Sequence, residues 1–202
     1  MREKGEAMQK NRLEAFSDGV IAILITIMVF EVKAPTGANS EALVSIIPIF
    51  FTYLLSFLYL GIYWNNHHHM LQLTRRINGG VLWANLHLLF WLSLFPFTTN
   101  WMRGSGFQSL PVAVYGLVLF LAGLSYSLLQ GTIIRADGEG SSLRAAVGSD
   151  FKGKASLVLY LFGIAAAFLV PLLAVTFYVV VAFLWLIPDP RIEKHLAAGA
   201  RE

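Results

Sequence analysis

Residues 157–187 read LVLYLFGIAAAFLVPLLAVTFYVVVAFLWLI, an apolar run without a single charge. A membrane-spanning helix needs about 20 mostly apolar residues. The run is too long for one crossing and only just long enough for two. Pro171 sits where a tight hairpin would turn, because proline breaks the helical ladder and disfavours helix at the residue before it. The run therefore divides into spans at 154–170 and 172–188. Working back toward the amino terminus, four further apolar stretches meet the same length criterion, at 12–32, 43–64, 81–100 and 110–134. The expected fold is all-α: a polytopic membrane protein with six transmembrane helices in one domain covering 1–202.

Charge supports the even count. With six spans and a cytoplasmic amino terminus, the inside segments hold Arg2, Lys4, Lys10, Arg12, Arg75, Arg76, Arg135, Arg144, Lys152, Lys154, Arg191, Lys194 and Arg201. Only Lys33 and Arg103 fall outside. Five spans would move the last three basic residues across the membrane, against the positive-inside rule. Both termini are expected in the cytoplasm of a cell-membrane protein. Trp64, Trp83, Trp101 and Trp185 fall near predicted span ends, where interfacial anchors belong. The polar loop at 135–154 is expected on the cytoplasmic side, with a short surface helix.

Composition agrees. Hydrophobic residues make up 56% of the 202 and charged residues 13%, where soluble domains carry about 25% charged residues. A soluble fold of this length has too little interior to hide so much apolar surface, and lipid as solvent removes the difficulty. The chain has no cysteine, which excludes disulfides and thiolate metal sites. The net charge of +3 reads as loop bias and not as nucleic-acid binding. The polar, mixed-charge start and the length of the first apolar segment make that segment an expected retained span rather than a signal peptide.

Several motifs fail on mechanism. Gly148-Ser149-Asp150-Phe151-Lys152-Gly153-Lys154-Ala155 approaches a phosphate-binding loop, but Ala155 has no hydroxyl for magnesium and no strand precedes it. His67-His68-His69 cannot converge on one ion from a regular helix, because neighbours diverge by about 100°. Interfacial packing and hydrogen bonding are the expectation there. The same holds for Asn85 and His87 in the third span, where a proton relay is the sharper alternative. No cofactor and no tightly bound metal are expected. The carbonyl filter sequence of potassium channels is absent.

The first span carries the richest pattern. Asp18 lies well inside it, and a carboxylate in a membrane is a functional candidate by default. Arg12 is no partner for Asp18, since six residues turn a helix by about 240°. Each must find partners on other helices. The run Tyr63-Trp64-Asn65-Asn66-His67-His68 at the cytoplasmic end of the second span, or Asn85 and His87 on the third, are the candidates. Farther along, Ile23, Ile27 and Phe30 form one stripe, with Thr26 about 60° from Ile23 and Asp18 about 140° from it. By spacing alone such a stripe is better explained by lipid contact or core packing, because almost any apolar helix shows one.

Arg12-x-x-x-Phe16-Ser17-Asp18-Gly19 resembles the signature of the transmembrane protein 175 family of potassium channels. Tyr63-Trp64-x-x-His67-His68 resembles the family's second helix, and Phe90-Trp91-Leu92-Ser93-Leu94-Phe95-Pro96-Phe97 its third. The resemblance implies a potassium channel without a carbonyl filter, assembled as a homotetramer around a pore lined by the first helix. Ile23, Ile27 and Phe30 would constrict that pore, Ile23 most narrowly, and Thr26 would bear on the preference for potassium. Phe30 departs from the family, standing where an aliphatic residue is usual. Arg12, Ser17, Asp18, Gly19, Trp64, Asn65, His67, His68, Asn85 and His87 would form the polar network behind it. The competing reading is a proton-coupled transporter, or a proton-permeable pore, using Asp18 and His87.

Overall fold

The computed structural model describes residues 2–30 and 32–186, with side chains from Gln9 onward. Arg191, Lys194 and Arg201, the side chains of Arg2 and Lys4, and the expected end of the last span at 188 lie outside the described residues. Within them every regular element is helical.

Helix α1 (Arg2–Phe30) is followed by the short α2 (Ser40–Ser45) and by α3 (Ile47–Gln72). Pro48 stands in the first turn of α3, where its missing N–H costs nothing. This helix runs eight residues past the expected end of its span. Polarity at Asn65, Asn66 and the histidines closed the hydropathy window, but none of those residues breaks a helix, and the backbone continues to Gln72.

Helix α4 (Gly79–Ser93) starts at Asn78, whose side-chain oxygen accepts from the N–H of Val81 at 3.0 Å. That is a standard amino-terminal cap. The expected third span is not one uninterrupted helix. It breaks at Leu94 and resumes as α5 (Phe95–Gly104), with Pro96 in the first turn of the new segment. Proline cannot donate to the carbonyl four residues back. The chain answers with a tighter bond, Leu94 N–H to the Trp91 carbonyl at 3.2 Å.

Helix α6 (Ser109–Asp137) forms the middle of the bundle and packs on α4, α5, α8 and α9. The polar loop holds the expected short helix, α7 (Ser142–Val147), and then α8 (Phe151–Ala167) and α9 (Pro171–Leu186) make an antiparallel hairpin that turns at 168–170. Four segments, 9–30, 47–72, 79–104 and 109–137, are long and apolar enough to cross a membrane. The last two helices occupy the expected places of spans five and six, at 17 and 16 residues.

Tyrosines fill the interior. Tyr59, Tyr115 and Tyr178 are buried together with Phe95. A buried phenol needs a partner, and each of these three has one. Tyr59 donates to the carbonyl of Tyr178, Tyr178 donates to the carbonyl of Val112, and Tyr115 bonds Ser56. Gly163 and Ala167 read as a small-residue pair for close helix contact. Both are buried, but what Gly163 admits is a ring and not a backbone. A Cβ there would come within 2.4 Å of the Tyr178 ring, and one at Gly116 within 2.0 Å of its hydroxyl oxygen.

Candidate functional site

Helix α1 lies at the edge of the bundle, packed chiefly on α3 and α4. Its inner face is Leu13, Ser17, Ile21, Leu24 and Met28, all buried. The spacing of four, four, three and four is that of one helical stripe. One polar residue interrupts it. Ser17 is fully buried, and its hydroxyl donates to the Leu13 carbonyl at 2.9 Å. The Nδ2 of Asn85 donates to Ser17 Oγ at 2.9 Å, and His67 Nε2 lies 2.7 Å from Asn85 Oδ1. An amide oxygen only accepts, so the proton sits on Nε2 of His67. Donation runs one way from α3 through α4 to α1. His67 Nδ1 is buried and has no partner among the described residues.

A second set of contacts lies on the neighbouring stripe of α1. Lys10 Nζ donates to the Gln72 carbonyl at 2.9 Å, Glu14 meets His68 Nδ1 at 3.0 Å, and Asp18 accepts from Trp64 Nε1 at 3.0 Å. Each step of four up α1 is answered by a step of four back along α3. The two antiparallel helices therefore carry a polar ladder of three rungs. Trp64 and His68 stack with their planes 19° apart, which holds two of the rungs parallel.

The structure brings together Ser17, Asp18, Trp64, His67, His68 and Asn85. It leaves four expected members of the network elsewhere: Arg12, Asn65, His87 and Gly19. Arg12 is exposed and has no hydrogen-bond partner among the described residues. It lines an open groove with Gln9, Phe16, Ile77 and Asn78. Eleven residues before Ile23, it falls about 20° from it around the helix, on the outer face. Asn65 is half-buried, whereas its neighbour Asn66 is buried, donating to the Ile62 carbonyl and accepting at its own carbonyl from Tyr126. His87 is exposed on the far side of α4 from Asn85, two residues and about 200° away. Its Nε2 accepts from Trp91 of its own helix. Asp18 and His87 are thus not one relay. Gly19 is exposed, with nothing within 4 Å of a Cβ placed on it.

The outer face of α1 carries the apolar stripe. Ile23 is 58% exposed, Ile27 42% and Phe30 80%, and Phe16 extends the same line. Thr26 is exposed beside them and donates to the Ile23 carbonyl at 2.9 Å. Its hydrogen is spent on the backbone, so the hydroxyl turns acceptor lone pairs outward. Nothing among the described residues covers this face.

These features define a helical membrane protein whose edge helix is anchored on one side and bare on the other. A family described as the endosomal/lysosomal potassium channel TMEM175 matches residues 12–96. A protein from Chryseobacterium sp. (strain P1-3), named a potassium channel, is 53% identical over 94% of this chain and 98% of its own length. Another from Streptomyces collinus, also named a potassium channel, is 33% identical over 63% of this chain and 66% of its own. The crystal structure of a lysosomal potassium-selective channel TMEM175 homologue from Chamaesiphon minutus aligns with a TM-score of 0.76 at 26% identity. That alignment covers 89% of this chain and 97% of the other. The chain belongs to the TMEM175 family.

Proposed function

We propose that this chain is the subunit of a potassium-preferring cation channel whose conduction path is lined by the outer face of α1. The observation that carries the reading is the bare apolar stripe of a helix pinned along its other face. Lipid alone would accept such a stripe, but lipid does not call for a rigid backing. A pore wall does, because a constriction is only as narrow as its backbone is fixed. The relatives named as potassium channels supply the ion.

In this reading four copies place α1 around a common axis in the cell membrane, with both termini in the cytoplasm and α8 and α9 as the last two crossings. Ile23 forms the narrowest ring, followed by Ile27 and Phe30. Rings of this kind gate by expelling water, and selection falls to side chains in place of a carbonyl filter. Thr26, with its lone pairs turned outward, offers the oxygen ligands a potassium ion takes up as it sheds water.

The test is ion flux through the reconstituted protein under potassium and sodium gradients. Ile23→Asn wets the ring and Ile23→Ala widens it, so both raise conductance. Thr26→Ala shifts the reversal potential toward equal permeability of the two ions. Wild-type currents from both Ile23 variants would refute the constriction, and an unmoved reversal potential would refute the role of Thr26.

A further inference from the structure

Helix α6 packs against α4, α5, α8 and α9, so little of it is bare. Its exposed residues are Leu110, Leu117, Leu124, Leu128 and Arg135. At 100° per residue all five fall within about 40° of one another, so they form a single line along the helix. Thr132 lies on one side of that line, and its methyl group would meet a Cβ on Gly80 of α4 at 3.5 Å. Gly123 lies on the other side, where a Cβ would meet Leu157 of α8 at 3.3 Å. The line is thus the floor of a furrow between α4 and α8.

The furrow has the dimensions of a membrane. From Leu110 to Leu128 the helix rises about 27 Å, close to the ~30 Å of a bilayer's hydrocarbon core. Arg135 stands about 10 Å beyond Leu128, past the hydrocarbon and at the depth of the headgroups. Its Cα–Cβ bond tilts toward the helix amino terminus, back toward the membrane. Its guanidinium has no hydrogen-bond or ion-pair partner among the described residues. A cation in the last turn complements the helix dipole, but the dipole does not require it to continue the exposed line.

The acid nearest in sequence is spent elsewhere. Asp137 Oδ1 accepts from the main-chain N–H groups of Arg75 and Arg76 at 3.1 and 2.9 Å, and its other oxygen is buried. The carboxylate therefore ties the α3–α4 loop to the end of α6 and leaves the exposed guanidinium of Arg76 without a partner among the described residues. Arg75 donates to a neutral acceptor, Ser142 Oγ of α7, at 3.1 Å. Among the described residues Glu139 is the exposed acid at this corner, outnumbered by exposed Arg75, Arg76, Arg135 and Arg144.

We infer that an anionic phospholipid seats in this furrow. Its phosphate lies on Arg135, with Arg76 as the second contact, and an acyl chain runs along Leu128 and Leu124. Guanidinium groups bind phosphate oxygens in pairs. A zwitterionic headgroup would bring its own cation among the arginines, which is why the site takes an anionic one. The proposal does not depend on ion conduction.

The test places the full chain in nanodiscs and reads the thermal midpoint. Replacing part of the phosphatidylcholine with phosphatidylglycerol raises the midpoint. Arg135→Gln leaves the midpoint in pure phosphatidylcholine at the wild-type value, because the guanidinium holds no other described group. It raises the half-saturating phosphatidylglycerol fraction about fivefold, the worth of one arginine at a membrane surface. Arg12→Gln removes the same charge from the same end of the bundle but from another face, and keeps the wild-type response. Free glycerol phosphate added to phosphatidylcholine discs leaves the midpoint in place. No shift with phosphatidylglycerol, or a wild-type response from Arg135→Gln, would overturn the proposal. So would an equal loss from Arg12→Gln, which would reveal general surface attraction, or a full response to free glycerol phosphate. A changed oligomeric state of Arg135→Gln in pure phosphatidylcholine would make the furrow a contact between copies and overturn it too.

Discussion

Asn85 holds two helices to α4 with one side chain. Its amide accepts from His67 of α3 and donates to Ser17 of α1. Removing it leaves a buried imidazole N–H and a buried hydroxyl without their partners. Interhelical hydrogen bonds in membranes contribute about 0.6 kcal/mol each on average, and stranding buried polar groups adds to that. Asn85→Ala is therefore expected to lower stability by about 1–3 kcal/mol, read as a shift in equilibrium unfolding in mixed micelles. Asn65→Ala should leave the unfolding curve in place, since the bond to α6 is accepted by the main-chain carbonyl of its neighbour. That pair shows what the sequence leaves open at this scale. Asn65 and Asn66 are adjacent and chemically identical, and only the rotation of α3 against α6 decides which is buried. His87 was open for the same reason, because it shares a helix with Asn85 but not a face. Asp18 was legible, since a carboxylate inside an apolar span must have a partner, whereas Ser17 entered only through the family resemblance.

At the scale of the element, the question is what holds α1 straight. The ladder of Lys10, Glu14 and Asp18 against Gln72, His68 and Trp64 runs along nearly the whole polar third of the helix. Its rungs share one register, so they act on the same degree of freedom, the sliding of α1 past α3. A double-mutant cycle on Asp18→Asn and Trp64→Phe isolates one rung. The coupling is expected at about 1 kcal/mol, above the membrane average because the acceptor is a carboxylate. Additive unfolding energies would show the rung to be idle. Asn78, which caps α4 ahead of the expected span start at 81, went unread, whereas the start of α9 at Pro171 was legible. The end of α3 was not, because hydropathy reports where lipid ends and the helix does not stop there. The break at Leu94 was hidden inside an apolar stretch whose proline lies two residues beyond it.

For the whole molecule, the expected all-helical architecture was readable from apolar run lengths alone, since lipid tolerates little else. The interior was not. A hydropathy pattern treats Tyr178 as a span residue like its neighbours, yet Gly116 and Gly163 are both shaped around it. Nor does periodicity tell a pore face from a lipid face, as both are apolar and unpartnered in one chain. In the single chain Leu24 and Met28 are buried while Ile23, Ile27 and Phe30 are open, so the two faces of α1 make opposite forecasts in an assembly.

The chain's lack of cysteine allows that forecast to be read directly. Single cysteines are placed in turn at Ile23, Leu24, Thr26, Ile27, Met28 and Phe30, and each reconstituted channel is exposed to a charged thiol reagent while potassium current is recorded. If α1 lines the conduction path, the reagent blocks current at positions 23, 26, 27 and 30 and leaves 24 and 28 unaffected. Block at 24 and 28, or current that persists at all six positions, would contradict a pore walled by this face.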